Sequence, residues 1–200
     1  MLNESMTAPT GAHETSLNID NRKLGTWVFL ASEAVFFSSL IVTYIVMSGR
    51  AVSGPTPQEV LSIPLVGINT FVLISSSVTM VMALAAIERG DQRRLRRFLI
   101  ATALLGLLFL SGQAVEFTLL YQHGLSLHSD LFGASFFTLT GFHGAHVSVG
   151  ILWIGFVLAR AFSGGVTKEN HLAVELVGLY WHFVDVVWII IFTVVYLIGT

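Results

Sequence analysis

Long apolar runs separated by short polar stretches are the dominant pattern along this chain of 200 residues. A helical span needs about 20 residues. Five runs meet that length, at residues 24–49, 65–87, 98–122, 131–162 and 172–199. None of these runs alternates with the period of two that is typical of a membrane barrel strand. Because lipid leaves the edge of an open sheet unpaired, the pattern predicts five transmembrane helices.

The composition supports a membrane protein of the all-α class. The chain is 54% hydrophobic and 11% charged, whereas a soluble domain has about 25% charged residues. We expect a polar N-terminal segment at 1–23, without a signal peptide, followed by a polytopic five-helix transmembrane domain at 24–200. The lack of cysteine excludes disulfides and thiolate chemistry, and the net charge of -2 argues against a nucleic-acid partner.

The basic residues predict an orientation in the membrane. If the N-terminus is cytoplasmic, the outer segments carry only Arg50 and the inner segments carry nine basic residues. These nine are Arg22, Lys23, Arg89, Arg93, Arg94, Arg96, Arg97, Arg160 and Lys168. The positive-inside rule then places the C-terminus outside. The stretch ERGDQRRLRR is interpreted either as an anchor to lipid headgroups or as a docking site for a partner subunit.

Two pairs of ionisable residues lie inside the fourth and fifth spans, where burial is costly. His143 and His146 share one helix face, and so do His182 and Asp185, because each pair is spaced i, i+3. At a rise of about 1.5 Å per residue, both pairs reach mid-membrane depth. We therefore expect His143 or His146 to lie close to His182 or Asp185.

Two interpretations of these pairs remain open. Imidazole is a common metal ligand, so the three histidines and the aspartate are candidates for a haem or metal site. The alternative is an interhelical polar network that fixes packing, with Glu116 of the third span as a further member. Glycines at 141, 144 and 150 would let the fourth helix approach its neighbours closely.

Glu33 is the only carboxylate of the first span. A charged carboxylate at mid-membrane costs about 2.5 to 3.5 kcal/mol, so Glu33 should be protonated, or face a partner or water. It is interpreted as a proton-relay acid, as a site of lipid contact, or as a neutral acid bonded to the hydroxyl of Ser32 or Ser38.

Six segments cover most of residues 25–199: FLASEAVFF (29–37), IPLVGINTFVLISSSVT (63–79), the ERGD…LRR turn (88–97), GQAVEF (112–117), GASFFTLTGFHGAHVSVG (133–150) and YWHFVDVVWIIIFTVVYLIG (180–199). In sequence and in order, these segments resemble subunit III of the haem-copper terminal oxidases, in the short bacterial form with five helices. The stretch LLYQHGLSLHSDLF departs from the better-known members. Longer members have two additional N-terminal helices, which form one wall of the family's lipid-filled cleft.

The resemblance implies an accessory subunit of a proton-pumping respiratory oxidase in the bacterial plasma membrane. It implies no catalytic residue and no metal ligand in this chain, with haems and copper held by subunits I and II. Subunit I is the expected main contact, and phospholipids are expected in a cleft between helices 1–2 and 3–5. Glu33 matches the family's carboxylate that reacts with carbodiimides and is expected at that cleft, where it would support proton uptake.

Other functions are compatible with parts of the pattern. Cytochrome c is the favoured electron donor, although the donor site lies on another subunit; a quinol oxidase or a related nitric oxide reductase would carry a similar subunit. A self-contained haem-binding electron carrier would use the histidines. A proton-coupled transporter would use Glu33, Glu116 and Asp185, yet the chain has no internal repeat of the kind expected of one.

Overall fold

Five long helices make up the described part of the chain. The computed structural model describes residues 20–48, 63–128 and 131–198. Its helices are α1 (Asn21–Ser48), α2 (Ile63–Glu88), α3 (Gln92–Gln122), α4 (Leu131–Phe162) and α5 (Leu172–Phe192), and a π-helical turn, Thr193–Ile198, continues α5. All five are long and apolar enough to span a membrane. The prediction of an all-α, five-span membrane protein is confirmed.

α1 and α3 begin earlier than predicted. α1 starts at Asn21, inside the segment assigned to the polar N-terminus, and the rest of that segment up to residue 19 lies outside the described residues. α3 starts at Gln92 instead of residue 98, because the Asp91 carboxylate caps it by accepting a hydrogen bond of 3.0 Å from the backbone N–H of Arg94. Gly90 makes the turn with a positive φ of 76°. The arginine cluster therefore lies largely on the first turns of α3.

α5 is the central helix of the bundle. It packs against α1, α2 and α4, while α2 packs mainly against α3, and α3 also packs against α4. α1 packs against α4 and α5 instead of α2. α1 and α2 are therefore not main neighbours although they follow each other in the chain, and their connection at 49–62 lies outside the described residues.

α1 joins the bundle along one narrow seam. Its buried residues are Leu30, Phe37 and Tyr44, each seven positions after the previous one. This heptad spacing keeps one line of side chains facing a neighbour. The rest of α1 is exposed or partly exposed, so α1 is the peripheral helix of the bundle.

A buried tryptophan on α5 sits where three other helices meet. A Cβ on Gly106 of α3 would lie 2.7 Å from Cη2 of Trp181, and one on Gly150 of α4 would lie 2.9 Å from its ring. The indole N–H of Trp181 donates to Ser76 Oγ of α2 over 2.9 Å. The two glycines leave the room that the indole ring occupies, so Trp181 connects α5 to α2, α3 and α4.

The predicted role of the α4 glycines is correct at two of the three positions. Besides Gly150, Gly144 lies against Gln113 of α3, whose Oε1 would be 2.8 Å from an added Cβ. Nε2 of Gln113 donates to the carbonyl oxygen of Thr140 over 2.8 Å. Gly141 has open space around its Cβ position and needs no glycine for packing.

Gly150→Ala is expected to lower the free energy of unfolding by about 1 to 3 kcal/mol, the usual range for overpacking. The added methyl would meet the rigid rings of Trp181 and Tyr180 at 2.9 and 3.2 Å. Gly155→Ala is the matched control on the same helix, because nothing lies within 4 Å of its Cβ position. Denaturation in mixed detergent micelles, followed by circular dichroism, measures both. Equal effects of the two substitutions would contradict the packing argument.

All nine basic residues assigned to the inner segments gather at one end of the bundle. Lys23 Nζ and Glu175 Oε2, 2.9 Å apart, join the starts of α1 and α5. Gln92 Nε2 donates to the carbonyl oxygen of Val166 over 2.8 Å and joins the α2–α3 turn to the α4–α5 connection. Arg50 lies outside the described residues. Which end faces the cytoplasm stays a prediction.

Candidate functional site

Glu33 and His146 meet at the α1–α4 interface, near the middle of both helices. Oε2 of Glu33 lies 3.2 Å from Nε2 of His146, and the two side chains are 19% and 18% exposed. Nδ1 of His146 lies 2.7 Å from the carbonyl oxygen of Phe142, one turn earlier in α4. Because a carbonyl oxygen only accepts, Nδ1 carries a proton.

This tautomer determines how many protons the side chains of Glu33 and His146 share. With Nδ1 protonated, Nε2 of a neutral His146 is an acceptor, so its contact with Glu33 requires one more proton between the two groups. The pair is then either a carboxylic acid beside a neutral imidazole or a carboxylate beside an imidazolium. Both forms have zero net charge, which makes burial far less costly than burial of an isolated ion. A proton can move between the two residues without changing the charge of the site.

Aromatic side chains enclose the Glu33–His146 pair. The His146 ring lies 4.9 Å from the Phe37 ring and 6.3 Å from the Phe36 ring, centroid to centroid. Tyr180 of α5 donates its hydroxyl to the backbone carbonyl oxygen of His146 over 3.0 Å. The pair therefore lies in apolar surroundings at a point where α1, α4 and α5 meet.

The serine hypothesis for Glu33 is wrong. The hydroxyls of Ser32 and Ser38 donate to carbonyl oxygens of α1 itself, those of Phe29 and Ala34, over 2.7 Å each. Serine in a membrane helix commonly satisfies its hydroxyl in this way. The partner of Glu33 is His146 on another helix.

A second polar cluster joins α5 to α2. Ser77 Oγ donates to Asp185 Oδ2 and also lies 2.8 Å from His182 Nδ1. The hydroxyl has one hydrogen, so with that hydrogen directed at Asp185 the contact with His182 needs a proton on Nδ1. Trp188 adds a bond one turn further along, donating its indole N–H to Thr70 Oγ1 over 2.9 Å. These contacts fix the register between α2 and α5.

Ser77→Ala is expected to lower the free energy of unfolding by about 1 to 2 kcal/mol, since His182 and Asp185 lose their shared partner. Ser75→Ala is the matched control, because the Ser75 hydroxyl donates to the carbonyl oxygen of Phe71 within α2. The control is expected to change stability by less than about 0.5 kcal/mol. The same micelle denaturation measures both, and a Ser77 effect no larger than the Ser75 effect would refute a stabilising role for the cluster.

Glu116 has its own partner at the opposite end of the bundle from the arginines. Tyr196, on the π-helical turn, donates its hydroxyl to Glu116 Oε1 over 2.7 Å. Both residues are buried. A π-helical turn inserts an extra residue into the helix and rotates the residues after it, and here Val195 and Tyr196 are buried side by side. The bond closes the contact between α3 and the end of α5.

His143 is enclosed by aromatic rings instead of polar groups. Its ring stacks on Trp188 with centroids 4.7 Å apart and meets Phe109 and Phe37 edge to face at 5.9 and 6.5 Å. The side chain is fully buried, and neither ring nitrogen has a hydrogen-bond partner among the described residues. Its visible role is to fill space between α1, α3 and α5.

The two mid-membrane pairs form no hydrogen bond with each other among the described residues. His146 binds Glu33 on α1, while His182 and Asp185 bind Ser77 on α2, so the pairs have separate partners. His143 lies beside α5 but contacts Trp188 there. The four residues were expected at similar depth because of their positions in the spans, but depth does not determine which way a side chain points around its helix.

The described residues offer no group of three or more His, Cys, Asp or Glu side chains that could hold a metal ion. His146 is occupied by Glu33 and Phe142, and His182 by Ser77. The arrangement links helices in pairs and holds protons. It does not converge on a single centre.

Two grooves open beside α5. One, of about 350 Å³, lies between the starts of α1 and α5 and the end of α2, with the Lys23–Glu175 ion pair among its lining residues. The other, of about 420 Å³, runs between α1 and α5 and is almost wholly apolar. His182 lines both grooves, whereas Glu33 lines neither and turns to α4.

Comparison with known proteins gives a consistent result over nearly the whole chain. The family model for cytochrome c oxidase subunit III matches residues 3–200. The chain is similar to cytochrome c oxidase subunit 3 of Alkalihalophilus pseudofirmus, with 38% identity over 96% of this chain and 93% of that protein.

Relatives named as quinol oxidase subunits are equally similar. Quinol oxidase subunit 3 of Bacillus spizizenii is 41% identical over 88% of this chain and 86% of its own length. The corresponding cytochrome bo(3) ubiquinol oxidase subunit of Pseudomonas aeruginosa is 36% identical over 90% of this chain and 86% of its own length.

Proposed function

Since the match covers nearly all of its residues, the chain belongs to the cytochrome c oxidase subunit III family, and from this premise we propose that it is the accessory, non-redox subunit of a proton-pumping haem-copper oxidase. That oxidase reduces dioxygen to water in the aerobic respiratory chain of a bacterial plasma membrane. The single observation that carries the proposal is the family match from residue 3 to residue 200, on a five-span helical fold.

The side-chain arrangement supports a chain without its own redox centre. Its intramembrane histidines are engaged pairwise with Glu33 and Ser77 or enclosed by aromatic rings. In the proposed complex, haems and copper belong to subunits I and II. No catalytic residue and no metal ligand are assigned to this chain.

We place subunit I against the bundle of α3, α4 and α5. α3 and α4 carry large exposed apolar side chains, among them Leu104, Leu107, Leu152 and Phe156, each at least half exposed. Van der Waals packing drives helix association in lipid, so such a surface suits another membrane subunit. α1 packs mainly against α4 and α5, so it lies away from α3 in the bundle.

Phospholipids are proposed to occupy the grooves beside α5 and to fill the space between this subunit and its neighbours. The groove walls are mostly apolar, and Lys23, paired with Glu175, places its ammonium at the end where headgroups are proposed to lie. Glu33 and His146 are proposed to support proton uptake, because the pair can hold and exchange one proton at constant charge. By this proposal the subunit prolongs the active life of the catalytic subunit without taking part in electron transfer.

Cytochrome c is proposed as the electron donor. A quinol oxidase is the second candidate, because relatives with that name match the chain with similar identity. The donor site belongs to another subunit in either case, and the fold of this chain is compatible with both kinds of oxidase.

Affinity purification of the tagged chain from its host membrane tests the proposal. We expect it to bring down a complex with a haem-copper oxidase spectrum that consumes dioxygen, and reduced cytochrome c and a quinol are compared as donors. Isolation of this chain alone with a haem Soret band, or in a nitric oxide reductase, would overturn the proposal. A preference for quinol would move the assignment to the second candidate.

A further inference from the structure

A pocket opens on the α2–α3 hairpin, on the other side of α2 from the grooves beside α5. It has a volume of about 570 Å³ and is lined by Met82, Ala85, Ala86, Arg89, Asp91, Arg94 and Phe98. Val81 and Leu84, the neighbouring positions on α2, line the groove on the opposite face. The pocket is therefore separate from the grooves of the proposed function.

The polar and apolar residues of this hairpin pocket lie at opposite ends. Arg89, Asp91 and Arg94 come from the turn and the first turn of α3, while Met82 lies further back along α2 and is 46% exposed. Phe98 continues the apolar wall on α3. A ligand here would have a charged end at the turn and an apolar end directed along the membrane span.

Arg89 is the cation of this pocket best placed for a ligand. Arg96 is used inside the protein, where it donates to the carbonyl oxygen of Ala161 over 2.9 Å and lies over the Phe162 ring. Arg94 is paired with Asp91 at 3.2 Å. Arg89 is exposed and has no ion pair among the described residues.

We propose that the hairpin pocket binds one anionic phospholipid, with phosphatidylglycerol as its best match. Arg89 presents a guanidinium suited to the phosphate, and Arg94, although paired with Asp91 through Nε, adds positive charge beside it. The Asp91 carboxylate accepts hydrogen bonds, which fits the hydroxyls of a glycerol headgroup. Met82, Ala85 and Phe98 cover the upper part of an acyl chain. Charge and apolar surface are thus arranged in the order in which a lipid presents them at an interface.

Native mass spectrometry of the full chain in detergent, titrated with dioleoyl phosphatidylglycerol or dioleoyl phosphatidylcholine, tests this site. One tight phosphatidylglycerol molecule is expected, and Arg89→Gln is expected to weaken its binding about fivefold, as loss of one cation near a lipid headgroup does. Arg93→Gln is the matched control, because Arg93 is exposed in the same segment but does not line the pocket. Its effect is expected to stay within about twofold.

Ala85→Trp tests the apolar half without changing any charge. The indole would occupy the pocket, so the tight phosphatidylglycerol molecule is expected to be lost while circular dichroism shows an intact helical fold. Addition of inorganic phosphate is expected not to displace the lipid, because phosphate lacks the apolar part. Equal weakening by Arg89→Gln and Arg93→Gln, binding unchanged by Ala85→Trp, equal binding of phosphatidylcholine, or displacement by phosphate would each overturn the proposal.

Discussion

Replacing Trp181 by alanine is expected to lower the free energy of unfolding by about 3 to 5 kcal/mol, the range for removal of a large buried aromatic side chain. The indole is 1% exposed, fills the space left by Gly106 and Gly150, and bonds Ser76. No single side chain on α2, α3 or α4 can close the cavity, because the ring touches all three helices. Denaturation in mixed micelles followed by circular dichroism measures the loss.

Trp27→Ala is the matched control for Trp181→Ala. Trp27 is 53% exposed on α1, so its removal leaves no internal cavity and is expected to change stability by less than about 1 kcal/mol. Trp181→Phe separates the hydrogen bond to Ser76 from the packing and is expected to show an intermediate loss. If Trp181→Ala lowers the free energy of unfolding no more than Trp27→Ala does, Trp181 is not a main contact between α5 and its neighbours α2, α3 and α4.

Glu33→Ala in the assembled oxidase is expected to shorten active lifetime about threefold to twentyfold while the haem spectrum stays unchanged. The reason is loss of the bond to His146, worth about 0.6 to 1.7 kcal/mol for a polar contact between membrane helices. α1 has few other buried contacts, so this bond is a large share of what holds it. The number of turnovers before inactivation measures the effect.

Glu33→Gln separates the two roles proposed for the Glu33 side chain. Its amide N–H can donate to Nε2 of His146, so the link between α1 and α4 is kept, but it has no proton to exchange. Loss of lifetime in both variants indicates that the proton matters, whereas loss in Glu33→Ala alone indicates a structural link. A destroyed haem spectrum, or a Glu33 side chain that is freely hydrated and not in contact with His146, would contradict the account of this pair.

The number and type of helices follow from the sequence because the bilayer imposes a length on every apolar run. The start of α3 does not follow from apolar length, because residues 92–97 include four arginines and lower the hydropathy there. Only the cap formed by Asp91 shows that the helix has already begun. Apolar length measures the part of a helix that lies in lipid. A helix end is determined by hydrogen bonding instead.

The candidate residues can be identified from the sequence by type and depth, but their partners cannot. Glu33 and His146 are both near the middle of their spans, as are His182 and Asp185, so depth alone allows several pairings. The angle of each residue around its helix depends on how whole helices pack. Ser77 was missed for a related reason, because most serines of these spans bond only to their own helix, as Ser75 does.

The central position of α5 has a consequence for the order in which the protein is made. α5 leaves the ribosome after the four other described helices, yet it packs against three of them, α1, α2 and α4. Until it is inserted, α1 and α2 have no common neighbour, and the polar side chains Ser77 and Glu116 lack their partners. Long-range contacts of this kind delay folding. We therefore expect the nascent bundle to expose these polar side chains to the insertion machinery until α5 arrives.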